Sequence, residues 1–285
     1  MPKAFVNGIN IHYVQTGNGP DLVLIHGIAS NLGQWQLGIL PALVDDFRVT
    51  MYDLRGHGYS DMPPTGYTPD HMVADFSGLM DYLGIERASI LGHSYGGVMA
   101  LYYAALCPGR VDRLIIADTG VPALEPKRDA PLAGWREALR RGGIEVPDEK
   151  ADDVVYLIEQ TLRLRGRRWR GMGVRRAIAR LSRLFDTTSI GKEYRENPGL
   201  TLEMIRQIQT SALLVYGDRS PNMASFQSLR EHLPNCTTAI IPDGGHFYPL
   251  EHAETFVRHI KGFLQEQSSD LKDPRCPGPG RCGPS

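Results

Sequence analysis

Ser94 is the residue of this chain best placed for covalent chemistry. It sits in Gly92-His93-Ser94-Tyr95-Gly96-Gly97, after the short apolar run 88–91 and before 98–106, which has helical periodicity. Strand, sharp turn and helix form the context that a G-x-S-x-G nucleophile elbow requires. Such a turn strains its central residue and brings the positions two residues to either side into collision, which glycine relieves. The hydroxyl then stands clear of the sheet near the positive end of the following helix.

A serine hydroxyl is a poor nucleophile until a base takes its proton. The candidate base is His246 in Gly244-Gly245-His246, just past the last predicted strand. The glycine pair lets that loop reach over the sheet edge, and the order along the chain, serine before histidine, fits. An attacked carbonyl also needs fixed donors for its developing charge. The backbone N–H of Tyr95 supplies one and that of Ile28, in the loop His26-Gly27-Ile28, the second. His26, His57 and His93 are expected to serve structure.

These residues need a scaffold. Asn7-Gly8 separates two extended runs, 4–6 and 9–15, and predicts a hairpin. Runs 22–25, 47–52, 88–91, 114–117, 212–216 and 237–241 read as buried strands. Helical patterns at 34–44, 70–83, 98–106 and 253–264 alternate with them. That alternation predicts an α/β fold, a mostly parallel eight-stranded sheet covered by helices on both faces. Residues 122–209 break the rhythm with helical patterns only and read as an inserted helical lid between two strands. The core is then 1–121 with 210–267, and 268–285, rich in Pro, Gly and charge, reads as a disordered tail.

Bulk properties narrow the function classes. The net charge of −1 argues against nucleic acid or a membrane surface as partner. No apolar run is long enough for a transmembrane helix, and the start of the chain lacks the apolar stretch of a signal peptide. Cys107, Cys236, Cys276 and Cys282 show neither metal spacing nor a disulfide framework, so a reduced, cytoplasmic setting is expected. No cofactor or metal motif appears. Residues 163–183 carry nine arginines and no carboxylate. A solvated helix face and attraction of an anionic substrate or acidic partner are both open readings of that run.

Taken together, His26-Gly27, Asp53-Leu54-Arg55-Gly56-His57-Gly58-Tyr59-Ser60, the elbow around Ser94 and Gly244-Gly245-His246 resemble the α/β-hydrolase superfamily, in particular its lidded small-molecule serine hydrolases, over residues 4–265. In such relatives the triad acid usually closes a Gly-x-x-Asp segment. Here that segment is Gly217-Asp218-Arg219-Ser220, with Ser220 in the acid's place. Three alternatives follow. Asp118, 24 residues beyond the nucleophile, matches the acid position that the resemblance to haloalkane dehalogenases and some lactonases implies; Asp218 could turn inward; or the acid is missing.

The resemblance implies hydrolysis without a cofactor. Dehalogenase and epoxide hydrolase relatives use a carboxylate nucleophile, which serine disfavours. Acyl transfer is expected instead: cleavage of a carboxylic ester or lactone of a small, largely apolar molecule through an acyl-enzyme. Carbon–carbon bond hydrolysis of the meta-cleavage type, a biosynthetic lyase or cyclase, and a low-turnover ligand-binding protein on the same scaffold are the alternatives. Tyr95, Trp135, Met99, Phe247 and Tyr248 are candidates for lining the substrate pocket. The pattern leaves the substrate and the oligomeric state open.

Overall fold

The structure, a computed structural model, describes residues 1–28, 30–121, 124, 132–168, 172–196 and 199–265, with the side chains at 154, 165–168, 172–174 and 194–196 outside that set. The expected tail therefore lies outside the described residues, as do Cys276 and Cys282.

Eight strands form one sheet in the order β1-β2-β4-β3-β5-β6-β7-β8. They are β1 Lys3–Val6, β2 Ile9–Thr16, β3 Asp21–Ile25, β4 Arg48–Tyr52, β5 Ala88–His93, β6 Val111–Ala117, β7 Ala212–Gly217 and β8 Cys236–Ile241. β1 pairs antiparallel with β2, and β2 with β4; every other pairing is parallel. The Val6–Ile9 register makes Asn7-Gly8 a two-residue turn, and both residues have positive φ, 48° and 78°, the backbone of a type I′ hairpin.

Eleven α-helices are described: α1 Leu40–Leu43, α2 Pro69–Tyr82, α3 Tyr95–Leu106, α4 Ala133–Arg141, α5 Val154–Arg168, α6 Met172–Thr187, α7 Ile190–Glu196, α8 Leu202–Gln207, α9 Met223–His232, α10 Tyr248–Glu251 and α11 Ala253–Gln265. The helical pattern at 34–44 is realised as two short pieces, a 3₁₀ turn at Leu32–Trp35 and α1.

Alternate strand residues feed two apolar layers. Val23, Ile25, Ile90, Leu114 and Leu214 pack with residues of α2 and α3 on one face, while Leu22, Leu24, Leu91, Ile115 and Leu213 pack with residues of α1 and α11 on the other. Strands buried on both faces are why these runs read as continuously apolar. Between β6 and β7 the described chain carries α4–α8 and no strand. This insertion is tied to the core: the N–H of Ser189 donates to the Pro64 carbonyl at 2.9 Å, and the Glu193 carboxylate accepts from the Tyr67 N–H.

The Asp53–Ser60 segment after β4 is a structural hub. Asp53, 1% exposed, accepts from the Leu32 N–H at one oxygen and from the Tyr59 N–H and His12 Nδ1 at the other. The Arg55 guanidinium makes a forked pair with buried Asp75 at 2.5 and 2.6 Å. Among the described residues no helix is long and apolar enough to cross a membrane.

Candidate active site

Four loops at the carboxyl ends of parallel strands converge: Ile28 follows β3, Ser94 follows β5, Asp118 follows β6 and His246 follows β8. The crevice outside those strand ends is where open α/β sheets bind ligands. Because β3 and β6 flank β5, the loops bearing Ile28 and Asp118 are the immediate neighbours of the loop bearing Ser94.

Ser94 has φ 55° and ψ −122°, a conformation an L-residue adopts only under constraint. Its N–H donates to the Ala117 carbonyl at 2.9 Å, and its carbonyl accepts from Gly97 at 2.9 Å as α3 begins. A Cβ on Gly92 would strike the Gly96 carbonyl, and one on Gly96 the Ile25 carbonyl, so the turn admits only glycine at both flanks. The loop after β3 comes equally close: a Cβ on Gly27 would stand 2.9 Å from Ser94 Cβ and 3.4 Å from Oγ.

His246 Nδ1 lies 2.7 Å from Asp118 Oδ1, and both residues are buried. Asp118 has positive φ, 47°, and its carboxylate is fully engaged. Oδ1 also accepts from Ser220 Oγ at 2.8 Å and Asn222 Nδ2 at 3.0 Å, while Oδ2 accepts from the Gly217 N–H at 3.3 Å. Nδ1 of His246 is then the protonated nitrogen, which leaves Nε2 unprotonated and able to accept. Asn222 Nδ2 stands 3.3 Å from Nδ1, a contact between two donors in this tautomer. Its true acceptors are Asp118 Oδ1 and the Asp118 carbonyl, the latter at 3.1 Å. Asp218, by contrast, is exposed beyond β7. Sequence reasoning missed Asn222, whose only local signal is its place two residues past Ser220.

The three histidines expected to be structural bond to backbone. His26 Nδ1 donates to the Gly27 carbonyl at 2.8 Å while its Nε2 accepts from the Leu54 N–H at 3.0 Å. His57 Nδ1 donates to the Arg55 carbonyl at 2.8 Å. Burial holds both rings below the ordinary imidazole range, His57 down to about 3 with the His26 ring as second cause. His93 Nε2 donates to the His246 carbonyl at 2.9 Å, so a residue of the elbow also anchors the histidine loop.

Ser94, His246, Ile28, Tyr95 and Asn222 line one chamber of about 160 Å³. Its apolar wall comes from Ile28, Leu132, Trp135, Leu157, Ile158 and Phe247. The Trp135 and Phe247 rings meet the His246 ring edge-on, with centroids at 4.7 and 4.9 Å. Two expected pocket residues lie elsewhere. Met99 points into the core between α3 and the sheet, 2% exposed, because the helix turns it away from the strand ends. Tyr248 is fully buried on the other face of the sheet, where its hydroxyl donates to the Val215 carbonyl at 2.8 Å. Among the described residues no cluster of side chains could hold a metal ion.

Known proteins are similar to this chain to different extents. A soluble epoxide hydrolase from Corynebacterium sp. (strain C12) is 38% identical over 122 residues, 43% of this chain and 42% of that enzyme, so the chain matches less than half the length of that curated relative. A dihydrolipoyllysine-residue acetyltransferase component of an acetoin cleaving system from Pseudomonas putida is 28% identical over 93% of this chain and 69% of its own. Among solved structures, Est816, described as an N-acyl homoserine lactone degrading enzyme, superposes with a TM-score of 0.73 at 26% identity over 92% of this chain and all of its own. An enol-lactonase from Burkholderia xenovorans LB400 gives 0.68 at 26% identity over 93% of this chain and all of its own. The profile of the alpha/beta hydrolase fold runs from residue 20 to residue 253, across the elbow, the insertion and the histidine loop, and the chain belongs to that family.

Proposed function

We propose that this protein is a serine hydrolase that cleaves a carboxylic ester or lactone of a small molecule through an acyl-enzyme. The observation that carries the proposal is that His246, which lines one chamber with Ser94, is bonded at 2.7 Å to the buried carboxylate of Asp118. With Nδ1 committed to the carboxylate, His246 Nε2 accepts the proton of Ser94 Oγ as that oxygen bonds to the acyl carbon. The tetrahedral oxyanion is met by the N–H groups of Ile28 and Tyr95. Collapse breaks the bond to the leaving oxygen, which takes the proton from the imidazolium. Water, deprotonated by the same nitrogen, then releases the acid and restores Ser94.

The apolar wall of the chamber suits a small hydrocarbon group beside the scissile bond. By their descriptions, one solved structure above 25% identity is an enol-lactonase and another degrades an N-acyl homoserine lactone, which favours a lactone or related acyl substrate. The epoxide hydrolase similarity is shared over part of the chain only. Serine at the elbow opposes that chemistry, because an alkyl ether on Ser94 could not be hydrolysed as an alkyl ester on a carboxylate is.

The deciding experiment is turnover of p-nitrophenyl acetate and butyrate. The expected result is an initial burst followed by steady turnover, both abolished in Ser94→Ala. Activity that survives that substitution, or saturable binding without any burst, overturns the proposal.

A further inference from the structure

A second, larger cavity of about 620 Å³ opens beside the first, between α6 and the loop after β4. Arg176, Arg180 and Arg183 line it from α6; His57, Ser60 and Asp61 line it from the opposite side. Their spacing puts the three arginines on one helix face, and buried Leu181 and Leu184 line the same cavity. Ser30 lines both this cleft and the chamber of Ser94, so the two spaces share a wall.

Among the described residues the charge of these three exposed arginines is only partly offset. Arg180 lies over the Tyr59 ring, 5.9 Å from its centroid, and none of the three arginines pairs with a carboxylate among the described residues. Asp61 is the one carboxylate in the described lining, and it is already occupied. Its Oδ2 accepts from the Asn10 N–H and Nδ2 at 2.9 Å, and its Oδ1 faces Lys3. His57 is neutral and adds nothing to offset. Like charges three and four residues apart destabilise a helix, and a bound anion relieves that repulsion while guanidinium groups match its oxygens in pairs.

We propose that this cleft is a subsite for an anionic group, a carboxylate or a phosphate, at the far end of the small molecule that is cleaved at Ser94. The proposal deepens the hydrolase assignment and rests on it. The reacting end occupies the apolar chamber, and the chain of the substrate passes Ser30 to bring its charge among Arg176, Arg180 and Arg183.

The test uses mono-p-nitrophenyl esters of succinate, glutarate, adipate and suberate, each beside its neutral methyl-capped counterpart. The full chain and the R176Q/R180Q/R183Q variant are compared at low salt. At one chain length the charged ester is expected to exceed its capped counterpart in kcat/KM by about tenfold, mostly through KM, as a few partly solvated charge-assisted bonds allow. The variant and high salt should both erase that advantage, while the capped esters turn over equally in both proteins. An equal ratio in wild type and variant overturns the subsite and leaves the hydrolase standing. Should the variant lose the capped esters as well, R176Q, R180Q and R183Q are read singly by the same ratio. If no ester is turned over, the hydrolase assignment fails, and calorimetry with glutarate, suberate and phenyl phosphate decides the subsite. Binding by wild type alone supports it; equal or absent binding overturns it. Arginine-dependent turnover confined to an acyl group carried on an acidic protein overturns it in favour of protein docking.

Discussion

Ser220 Oγ donates a 2.8 Å hydrogen bond to Asp118 Oδ1. The residue standing where the resemblance expects an acid thus supports a carboxylate supplied by the neighbouring strand. The exchange is possible because β6 lies between β5 and β7. A carboxylate after β6 and a side chain after β7 reach the same point beneath the histidine loop. Ser220 Oγ also accepts from the Asn222 N–H at 2.9 Å, so the turn after β7 is organised around the relocated charge.

Asp118→Asn is expected to lower kcat by roughly 10³–10⁴, because the amide holds the wrong imidazole tautomer and cannot stabilise the imidazolium. Asp218→Asn, at an exposed site, should change kcat by less than about tenfold, well short of the loss expected for a triad acid. Steady-state kinetics on one activated ester settle the comparison. Small and equal effects would remove Asp118 from the catalytic role.

Asn222→Ala and Ser220→Ala each remove one donor from Asp118 Oδ1. A hydrogen bond to a charged acceptor contributes about 1.5–3 kcal/mol, so each variant should lose roughly 10- to 100-fold in kcat with little change in KM. Loss of thermal stability with unchanged kcat would make both residues purely structural.

Burial keeps His57 neutral in the folded protein, with its pKa pushed down to about 3, whereas the unfolded ring titrates near its ordinary value of about 6.5. Between those values the unfolded chain holds a proton that the native state does not. Stability is therefore fully present above pH ~6.5 and declines as pH falls toward ~3, by at most about 1.4 kcal/mol per pH unit for this one group. Urea midpoints measured from pH 7 to pH 4 should fall more steeply in the wild type than in His57→Gln. Parallel curves would count against the buried neutral ring.

Much of this protein is legible in its sequence because the relevant physics is short-ranged. Ser94 is recognisable because a tight strand-to-helix turn needs glycine at positions 92 and 96, where any Cβ would strike a carbonyl. His246 is marked by the paired glycines of its loop, and the strands by apolar runs buried on both sides of the sheet. The alternation of those runs with helices sufficed for the eight-stranded sheet and for the helical insertion between β6 and β7.

Tertiary structure decided the rest, because it depends on which distant segments become neighbours. Strand order, not spacing along the chain, sets Asp118 against His246 and leaves Asp218 in solvent. The same packing carries Asn222 to the carboxylate and hides Met99 and Tyr248 in the two core layers. The arginine run reads in one dimension as charge alone. Only the docking of α6 against the loop after β4 turns three of its members toward a cavity that adjoins the chamber of Ser94.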